Sequence, residues 1–506
     1  MAIGRRGFLG ALGAGGALAL AGGREAVAYG RVPRPGVDAW PGRGRRPVVP
    51  PDWEALRQRL GERLVMPGDP DYPVQRLGFN ELYDGQYPAA VARCASAEDV
   101  QACLEAARGH GIPIAARSGG HNYLGYSVPD GGLVMDLRMM ADIDVRPDGT
   151  AVVGAGARLI EVYAALAAAG RLMPAGSCPT VGVSGLTLGG GIGVLARKYG
   201  LTCDRVAGAR VVTADACLRQ ACESSEPDLY WALRGGGGGN FGVVTEFDFR
   251  TEPAPLLTVA SLVFPRGSVA DVLGAWQPWS AMAPFEMWAS CQVSGGTPPG
   301  AKVVACWVGD RAGADAQLDR LVAAAGVQPT TRSVRELDYL NAMKYMAGCF
   351  TDTIEQCHPV WEGGVLQRTG FVAGSQMIGR PLDSAGVDAL ATGRPGVDLL
   401  FDSLGGAVAE LAPDATAFPH RAASASVQIY IGTTAAGQQA ATETVDAIRE
   451  GLVRLGTSGA YVNYLDADQP DWGREYYGRN LPRLKRVARQ YDPDGVFAFP
   501  RSVASA

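Results

Sequence analysis

The most informative segment of the chain runs from Gly176 to Gly193 and has the sequence GSCPTVGVSGLTLGGGIG. It carries no charged residue, and its frequent glycines leave runs of backbone without side chains. Because glycine lets the main chain approach another group closely, we expect this backbone to pack flat against something large and apolar. Cys178 lies within the segment, where burial as a small hydrophobic side chain is the usual alternative to a chemical role.

Two further glycine turns lie on either side of this segment. Residues 117–123, RSGGHNY, place His121 after a glycine pair whose bare amides can cradle a pyrophosphate. Residues 235–245, GGGGGNFGVVT, lead into an apolar strand, which a flexible linker does not do. Residues 117–123 do not match G-x-G-x-x-G, and the sequence contains no P-loop, so by spacing alone this first turn is a weak signal. Taken by itself, His121 is equally consistent with a satisfied loop residue.

The glycine excess is uneven along the chain. Of 69 glycines in 506 residues, residues 116–242 hold 24 and residues 1–44 hold 12. Most of the 12 glycines in residues 1–44 lie within residues 1–28. In this stretch, paired arginines precede a weakly apolar run that ends in a small-residue cleavage site. This pattern resembles a twin-arginine export signal. A membrane anchor is the alternative, but the run is shorter than the roughly 20 residues that a span needs. Residues 29–74 are predicted to be a lead-in segment.

Composition excludes several classes of protein. The net charge of −5 provides no general basic surface for nucleic acid. Four scattered histidines and no CxxC or HExxH motif argue against a metal site, and no G-x-S-x-G motif supports a hydrolase. Ten cysteines invite disulfides in an exported chain. Cys349 and Cys357 are close enough in sequence to pair, and the sequence leaves this question open.

Secondary-structure signals divide the chain into three parts. Strand-like runs, such as residues 206–213 and 243–249, alternate with helical ones up to about residue 255, which indicates layered sheets and helices. Among the predicted helices, one begins with Ser96 as its cap and another spans residues 159–169. Residues beyond this point mix strands with amphipathic helices and carry few motifs. Tyr461–Ser502 is again dense in motifs, which suggests that the C-terminus closes a discontinuous first domain.

Taken together, RSGGHNY, GSCPTVGVSGLTLGGGIG, GGGGGNFGVVT and the tail YVNYLD…YYGRNLPRLKRVARQYDPDGVF resemble the berberine-bridge-enzyme-like flavin oxidases. This family belongs to the vanillyl-alcohol-oxidase-type flavoproteins. The resemblance implies an α+β fold with a two-subdomain FAD-binding domain at 75–255. An inserted substrate domain of antiparallel sheet and helices would occupy 256–455, and residues 456–506 would complete the FAD domain.

The resemblance also implies the cofactor site. His121 matches the histidine linked to the flavin 8α-methyl group, and Cys178 matches the cysteine linked to flavin C6 in bicovalent members. FAD bound covalently through both residues is therefore expected. The other cofactor-binding residues would be Arg117, Ser118, Gly119, Gly120, Asn122, Val181, Gly182, Gly185, Gly189, Gly190, Gly193, Val244 and Asn463.

Residues 461–464 match the catalytic strand of the family. By resemblance, Tyr464 is the general base and Tyr461 assists it, although core packing is the alternative for two tyrosines at this spacing. A phenol with a pKa near 10 needs nearby positive charge or hydrogen bonds that lower this pKa. Trp288, Tyr345 and Trp361 either line a substrate pocket or fill a core, and we expect a core.

The implied activity is that of a secreted oxidase. Tyr464 would remove a hydroxyl proton while hydride passes from carbon to flavin N5, and dioxygen would then be reduced to hydrogen peroxide. The expected substrate is a secondary-metabolite alcohol or its sugar. Oxidative ring closure, dehydrogenation, or carbohydrate or flavin binding without turnover are the alternatives. The expected partners are the small-molecule substrate and O2, without nucleic acid or a membrane anchor in the mature form, in a monomer or homodimer.

Overall fold

The computed structural model describes residues 51–506, so the predicted export signal at residues 1–28 lies outside the described part of the chain. Three larger sheets, of four, five and seven strands, and one two-stranded ribbon organise the described residues, and helices flank the larger sheets. Among these residues, no helix combines the length and the apolar character needed to cross a membrane.

The first sheet is four-stranded, with spatial order β1-β2-β4-β3. Its strands and helices are α1 (Trp53–Leu60), β1 (Leu64–Val65), α2 (Tyr72–Gln75), β2 (Ala90–Arg93), α3 (Ala97–Ala107), β3 (Ile114–Arg117) and β4 (Leu133–Asp136). The Ser96 side chain caps α3 by accepting a hydrogen bond from the Asp99 N–H, as the sequence predicts. The first sheet begins before residue 75, within the predicted lead-in segment, since its strand β1 starts at Leu64. The side chains of Leu56, Leu60 and Leu64 are buried in the core of this sheet.

The second sheet is five-stranded and antiparallel, with order β5-β6-β10-β8-β9. Beside it, β7 and β11 form a two-stranded ribbon. The elements are β5 (Ile143–Val145), β6 (Thr150–Gly154), α4 (Leu159–Ala168), β7 (Arg171–Leu172), α5 (Val183–Gly189), α6 (Ala196–Tyr199), β8 (Val206–Val212), β9 (Leu218–Cys222), α7 (Pro227–Ala232), β10 (Val243–Arg250) and β11 (Glu252–Pro253).

The third sheet has seven antiparallel strands in the order β15-β12-β14-β13-β17-β18-β16. Its elements are β12 (Leu257–Val263), α8 (Val269–Met282), β13 (Met287–Ser294), β14 (Gly300–Val308), α9 (Arg311–Ala325), β15 (Thr331–Leu337), α10 (Tyr339–Met346), β16 (Phe371–Ile378), α11 (Ser384–Ala391), β17 (Val397–Ser403), β18 (Ala425–Gly432) and α12 (Gln438–Leu455). Helices α8, α9, α11 and α12 pack against the sheet. The fold matches the predicted α+β architecture with an antiparallel substrate sheet.

The segment between α10 and β16 is tied to the first two sheets. Cys349 and Cys357 form a disulfide within it, which settles the pairing that the sequence leaves open. The Glu362 carboxylate contacts the guanidinium groups of Arg138 and Arg158, both of which are largely buried. These ion pairs hold the segment against the N-terminus of α4.

The C-terminal residues return to the first part of the molecule. Helices α13 (Trp472–Tyr477) and α14 (Leu481–Tyr491) follow α12, and α14 packs on α7. Arg483 Nη2 bonds to Asp228 Oδ1 at 2.6 Å across this contact. The last segment of the chain therefore packs against a helix that flanks the second sheet.

Candidate active site

A cavity of about 550 Å³ is lined by residues of the first two sheets, the seven-stranded sheet and the C-terminal segment. Most of the predicted site residues line it: Ser118, Gly119, Gly120, His121, Asn122, Cys178, Val181, Gly182, Gly185, Gly193, Val244, Tyr461, Asn463 and Tyr464. The tertiary fold thus brings together segments that are far apart in the sequence.

Three predicted cofactor residues, Arg117, Gly189 and Gly190, stand apart from the lining of this cavity. The Arg117 guanidinium is 2% exposed and bonds to Asp136 Oδ2 at 2.8 Å, so a buried ion pair occupies it. A Cβ on Gly189 would stand 2.0 Å from Asn463 Oδ1, and one on Gly190 would press on an aromatic ring. These three residues therefore contact other parts of the protein and do not line the cavity.

His121 and Cys178 lie on facing turns, and one hydroxyl contacts both. Thr180 Oγ1 is 2.9 Å from His121 Nε2 and 3.6 Å from Cys178 Sγ. The His121 ring stacks on Phe79 with ring centres 3.9 Å apart. Burial, together with the positive charge of Arg158, lowers the pKa of His121 to about 3. The imidazole is therefore neutral at physiological pH, and its Nε2 lies within hydrogen-bond distance of Thr180 Oγ1.

The surroundings of Cys178 act on the ionisation of its thiol in two opposite directions. Burial raises the pKa of Cys178, and hydrogen bonds from Thr180 and from the Val181 backbone act in the opposite direction. Any nucleophilic chemistry at this sulfur needs the thiolate, so the hydrogen bonds from this turn matter for it.

The glycines at the cavity serve two different purposes. A Cβ on Gly119 would stand 2.3 Å from the Gly182 backbone nitrogen, so these two turns meet main chain to main chain. Gly185 has no heavy atom within 4 Å of its would-be Cβ, and Gly238 has none closer than 4.0 Å. The bare backbone at Gly185 and Gly238 thus borders open space that a bound group can fill.

Residues 461–464 form a turn, which corrects the expectation of a strand. The Tyr464 N–H donates to the Tyr461 carbonyl oxygen at 2.9 Å and closes the turn. The Tyr461 hydroxyl oxygen accepts hydrogen bonds from the N–H groups of Gly191 and Ile192 at 2.8 and 3.2 Å. It also accepts one from the Asn463 amide. Tyr461 therefore anchors the turn to the glycine-rich segment.

The side chain of Tyr464 faces the cavity and stacks on Tyr123, with ring centres 5.4 Å apart. Burial raises the pKa of Tyr464 well above its ordinary value, and the nearby Tyr123 and Asp402 raise it further. This is opposite to the lowered pKa that the sequence leads us to expect for a tyrosine base. The described surroundings of Tyr464 thus disfavour a standing phenolate.

The seven-stranded sheet presents to the cavity a wall of polar residues that was not predicted from the sequence. Its polar members occupy alternate strand positions: Ser290, Gln292 and Ser294 on β13, Lys302 on β14, Asp398 and Asp402 on β17, and Gln428 and Tyr430 on β18. The intervening residues, such as Leu399 and Phe401, are buried against the helices. This period-two alternation is visible in the sequence, and it is the signal that could have found the wall.

Of the three aromatic residues with an open assignment, Trp288 lines the cavity although it is only 4% exposed. Its indole Nε1 has no hydrogen-bond partner among the described residues. Tyr345 packs edge-on against Phe350, and the Trp361 ring lies near the Arg368 guanidinium. Trp288 therefore belongs to the buried core, as expected, and also lines the cavity, whereas Tyr345 is only partly buried against that core.

Comparison with known proteins assigns the chain to a family. The family model described as "FAD binding domain" matches residues 88–221, and "Berberine and berberine like" matches residues 460–504. An uncharacterized FAD-linked oxidoreductase of Bacillus subtilis, YgaK, is 32% identical over 458 residues, which are 88% of this chain and 98% of that protein. The chain belongs to the berberine bridge enzyme-like family of FAD-linked oxidoreductases.

Solved structures of this family share the whole architecture. Berberine bridge enzyme-like protein 1 of Physcomitrella patens has a TM-score of 0.83 and 28% identity over 89% of this chain and 98% of its own. A glucooligosaccharide oxidase of Acremonium strictum, described with a 6-S-cysteinyl, 8α-N1-histidyl FAD, has a TM-score of 0.79 and 25% identity over 89% and 98% of the chains. The vanillyl-alcohol-oxidase-type fold predicted from the sequence is thus confirmed.

The residues of this berberine bridge enzyme-like protein fit an FAD. Open space borders the bare backbone at Gly185 and Gly238, where a flat or phosphate-bearing group can approach closely. A neutral histidine and a thiol reach the same cavity from facing turns. We conclude that the protein is an FAD-linked oxidoreductase and that the residues around this cavity fit such a cofactor.

Proposed function

We propose that this protein is an oxidase that converts an alcohol, the hydroxyl of a sugar or of another polyhydroxylated compound, to a carbonyl compound with O2 as electron acceptor. The observation that carries the proposal is the polar strand face that borders the same cavity as His121, Cys178 and Tyr464. Bound FAD supplies the acceptor for the hydride and passes the electrons to dioxygen.

His121 and Cys178 are proposed to hold the FAD covalently. Both side chains line the cavity, and His121 is neutral at physiological pH, so its imidazole can act as a nucleophile. The likeness to a glucooligosaccharide oxidase described with a cysteinyl and histidyl FAD supports the same pair of linkages here. Two covalent bonds allow the cavity to stay open to substrate without loss of the cofactor.

Tyr464 is proposed to receive the substrate hydroxyl proton and to pass a proton onward in the same step. A standing phenolate is disfavoured, because burial raises its pKa well above the ordinary value. Asp402 faces the same cavity, and burial raises its pKa to about 6, so it is an ionised proton acceptor at neutral pH. Its negative charge lies close enough to raise the pKa of Tyr464. Tyr461 holds the turn, since its hydroxyl is occupied by backbone donors.

The polar wall is proposed to bind the other hydroxyl groups of the substrate. Ser294 Oγ donates to Asp398 Oδ1 at 2.7 Å, and Gln428 Nε2 donates to Tyr123 Oη at 2.6 Å. Such amide, hydroxyl and carboxyl groups can each donate to or accept from a sugar hydroxyl. A dense array of them is suited to a polyhydroxylated substrate and poorly suited to an apolar one.

The decisive experiment measures peroxide formation by the purified protein with a panel of oligosaccharides, monosaccharides and aromatic alcohols. We expect Tyr464→Phe to lower kcat by about 100-fold or more, because the proton acceptor is lost. Tyr230→Phe is the matched control, since this tyrosine is also buried and its hydroxyl donates to the Val206 carbonyl away from the cavity. Unchanged turnover in Tyr464→Phe would remove that residue from the mechanism.

The same assay separates the alternatives. Flavin reduction without peroxide would indicate a dehydrogenase, and a cyclised product would indicate oxidative ring closure. Ligand binding without flavin reduction would indicate a binding protein. Colour that leaves the polypeptide on acid precipitation would contradict covalent attachment through His121 and Cys178.

We also propose export by the twin-arginine route. The paired residues Arg5 and Arg6, the glycine-diluted run behind them and the small-residue site at Ala26–Ala28 support it. Replacing both arginines with lysine should retain the full-length chain inside the cell. Continued secretion of that variant would contradict this route.

A further inference from the structure

Thr180 stands at the contact between the two turns that carry His121 and Cys178. Its hydroxyl oxygen is 2.9 Å from His121 Nε2 and 3.6 Å from Cys178 Sγ, and the residue is 2% exposed. A single buried hydroxyl thus contacts both side chains that are proposed to bond to the flavin. Such a group has one hydrogen to donate and two lone pairs that accept.

The position of Thr180 is fixed by its neighbours in the structure. The Ile160 N–H donates to the Pro179 carbonyl oxygen at 3.1 Å, and the Leu159 N–H donates to the Val181 carbonyl oxygen at 3.0 Å. The start of helix α4 therefore holds the residues on both sides of Thr180. From the other side, a Cβ on Gly119 would stand 2.7 Å from the Thr180 carbonyl oxygen, so the His121 turn packs directly against it.

Only one arrangement of hydrogens leaves a lone pair on His121 Nδ1 and also provides a hydrogen bond to the Cys178 sulfur. If Thr180 donated to His121 Nε2, the hydrogen of the neutral imidazole would lie on Nδ1, and that nitrogen would have no lone pair to form a bond. If His121 Nε2–H donates to Thr180 Oγ1, Nδ1 keeps its lone pair. The Thr180 hydrogen is then available to the Cys178 sulfur, where it stabilises the thiolate.

We propose that Thr180 is the positioning residue that prepares both flavin attachments, accepting the hydrogen of His121 Nε2 and donating its own hydrogen to Cys178 Sγ. This inference rests on the proposed covalent FAD. At His121, a C–H bond of the flavin methyl group and the imidazole N–H bond break, and one C–N bond forms. At Cys178, a ring C–H bond and the S–H bond break, and one C–S bond forms. Each attachment releases two protons and two electrons, which reduce one dioxygen to one hydrogen peroxide.

The hydrogen-bond direction predicts different pH behaviour for the two bonds. Loss of the Thr180 hydroxyl removes the stabilisation of the Cys178 thiolate, and a higher pH can replace this effect by ionising the thiol directly. The His121 tautomer is not restored by a higher pH, because the neutral imidazole already predominates at physiological pH. The attachment at Cys178 is therefore rescued by alkali, whereas the attachment at His121 is not.

The test compares Thr180→Val, Thr180→Ser and the wild-type full chain. Each chain is produced in flavin-depleted cells and incubated with FAD in air, and peptides with flavin at His121 or Cys178 are quantified by mass spectrometry over time. We expect Thr180→Val to slow both attachments at least tenfold and Thr180→Ser to remain within about threefold of wild type. Thr187→Val is the matched control, because this buried hydroxyl donates only to the Val183 carbonyl of its own helix.

Several outcomes decide the proposal. Wild-type rates in Thr180→Val, or equal slowing in Thr187→Val, would overturn it, and so would rescue of both attachments on going from about pH 7 to about pH 9. Slowing that is confined to Thr180→Val and rescued only at Cys178 supports it. If Thr180→Val does not fold, Thr180→Ala removes the same hydroxyl without adding a branched apolar group and replaces it in the comparison. A wild-type chain without covalent flavin would instead contradict the linkage assumed in the proposed function, whereas peroxide formation tests the oxidase activity separately.

Discussion

Replacing Asp402 with Asn tests the proposed proton path most directly. Asp402 faces the cavity from strand β17, opposite Ser290 on the neighbouring strand. Burial raises its pKa from an ordinary 3.8 to about 6. The substitution keeps the shape of the side chain and removes its ability to accept a proton at neutral pH. Both activity and stability should therefore change, in directions that the raised pKa defines.

For activity, the carboxylate form is the one that accepts the proton. With a pKa of about 6, the ionised fraction falls about tenfold for each pH unit below that value, and kcat/KM should fall with it. In Asp402→Asn we expect a rate about 100-fold lower at neutral pH, without the decline centred near pH 6. The assay is kcat/KM for peroxide formation across the acidic and neutral range, with the flavin content of each variant measured.

For stability, the raised pKa means that the folded state favours the protonated acid. The contribution of protonated Asp402 to the unfolding free energy is fully present below the unfolded pKa of 3.8 and is lost as pH rises through about 6. At alkaline pH the buried charge therefore lowers the unfolding free energy by about 3 kcal/mol relative to acidic pH. Asp402→Asn should therefore unfold at higher urea concentration than wild type at alkaline pH and show little difference at acidic pH. If kcat/KM of Asp402→Asn still declined at acidic pH as in wild type, Asp402 would not be the proton acceptor. If Asp402→Asn and wild type had equal urea midpoints at alkaline pH, the buried carboxylate of Asp402 would not destabilise the fold.

Three further substitutions test the architecture of the site. Gly119→Ala places a Cβ 2.3 Å from the Gly182 backbone nitrogen, so we expect a loss of about 3 kcal/mol in unfolding free energy and of bound flavin, measured by urea unfolding and absorbance. Glu362→Gln removes the charge that neutralises the buried Arg158, and it should lower the unfolding free energy by about 3 kcal/mol, less in high salt; no change would contradict this anchoring. Tyr461→Phe leaves two backbone N–H groups without their acceptor, and we expect about 2 kcal/mol of destabilisation, with kcat reduced less than in Tyr464→Phe.

Local patterns determined much of the fold. The cap at Ser96, the helix from Leu159 and the strand runs near residues 206 and 243 appear in the structure close to their predicted positions. These features depend on neighbours within a few residues, so sequence spacing carries the information. The short helix at Trp53–Leu60 was missed because its few apolar residues lie next to a proline-rich stretch.

The polar face of the seven-stranded sheet that lines the cavity could be recognised from the sequence as a strand pattern, but its place at the cavity could not. Alternation of polar and apolar residues on strand β17 predicts a strand with two different faces. Polar faces usually contact solvent, and nothing local reveals that this one borders a cavity shared with the glycine turns. Tyr464 illustrates the same limit, because its pKa is raised mainly by burial and further by Tyr123 and Asp402, which are distant in sequence.

By itself, the sequence determined the glycine turns, His121, Cys178 and the tyrosine pair, because the flavin motifs consist of contiguous residues. The tertiary structure alone decided that Arg117 is held in a buried ion pair, that Tyr461 anchors a turn and that Thr180 lies between the two proposed attachment residues. Hydrogen bonds and ion pairs act over a few ångströms in space. Which residues come that close depends on how sheets and turns pack, and spacing along the chain does not record it.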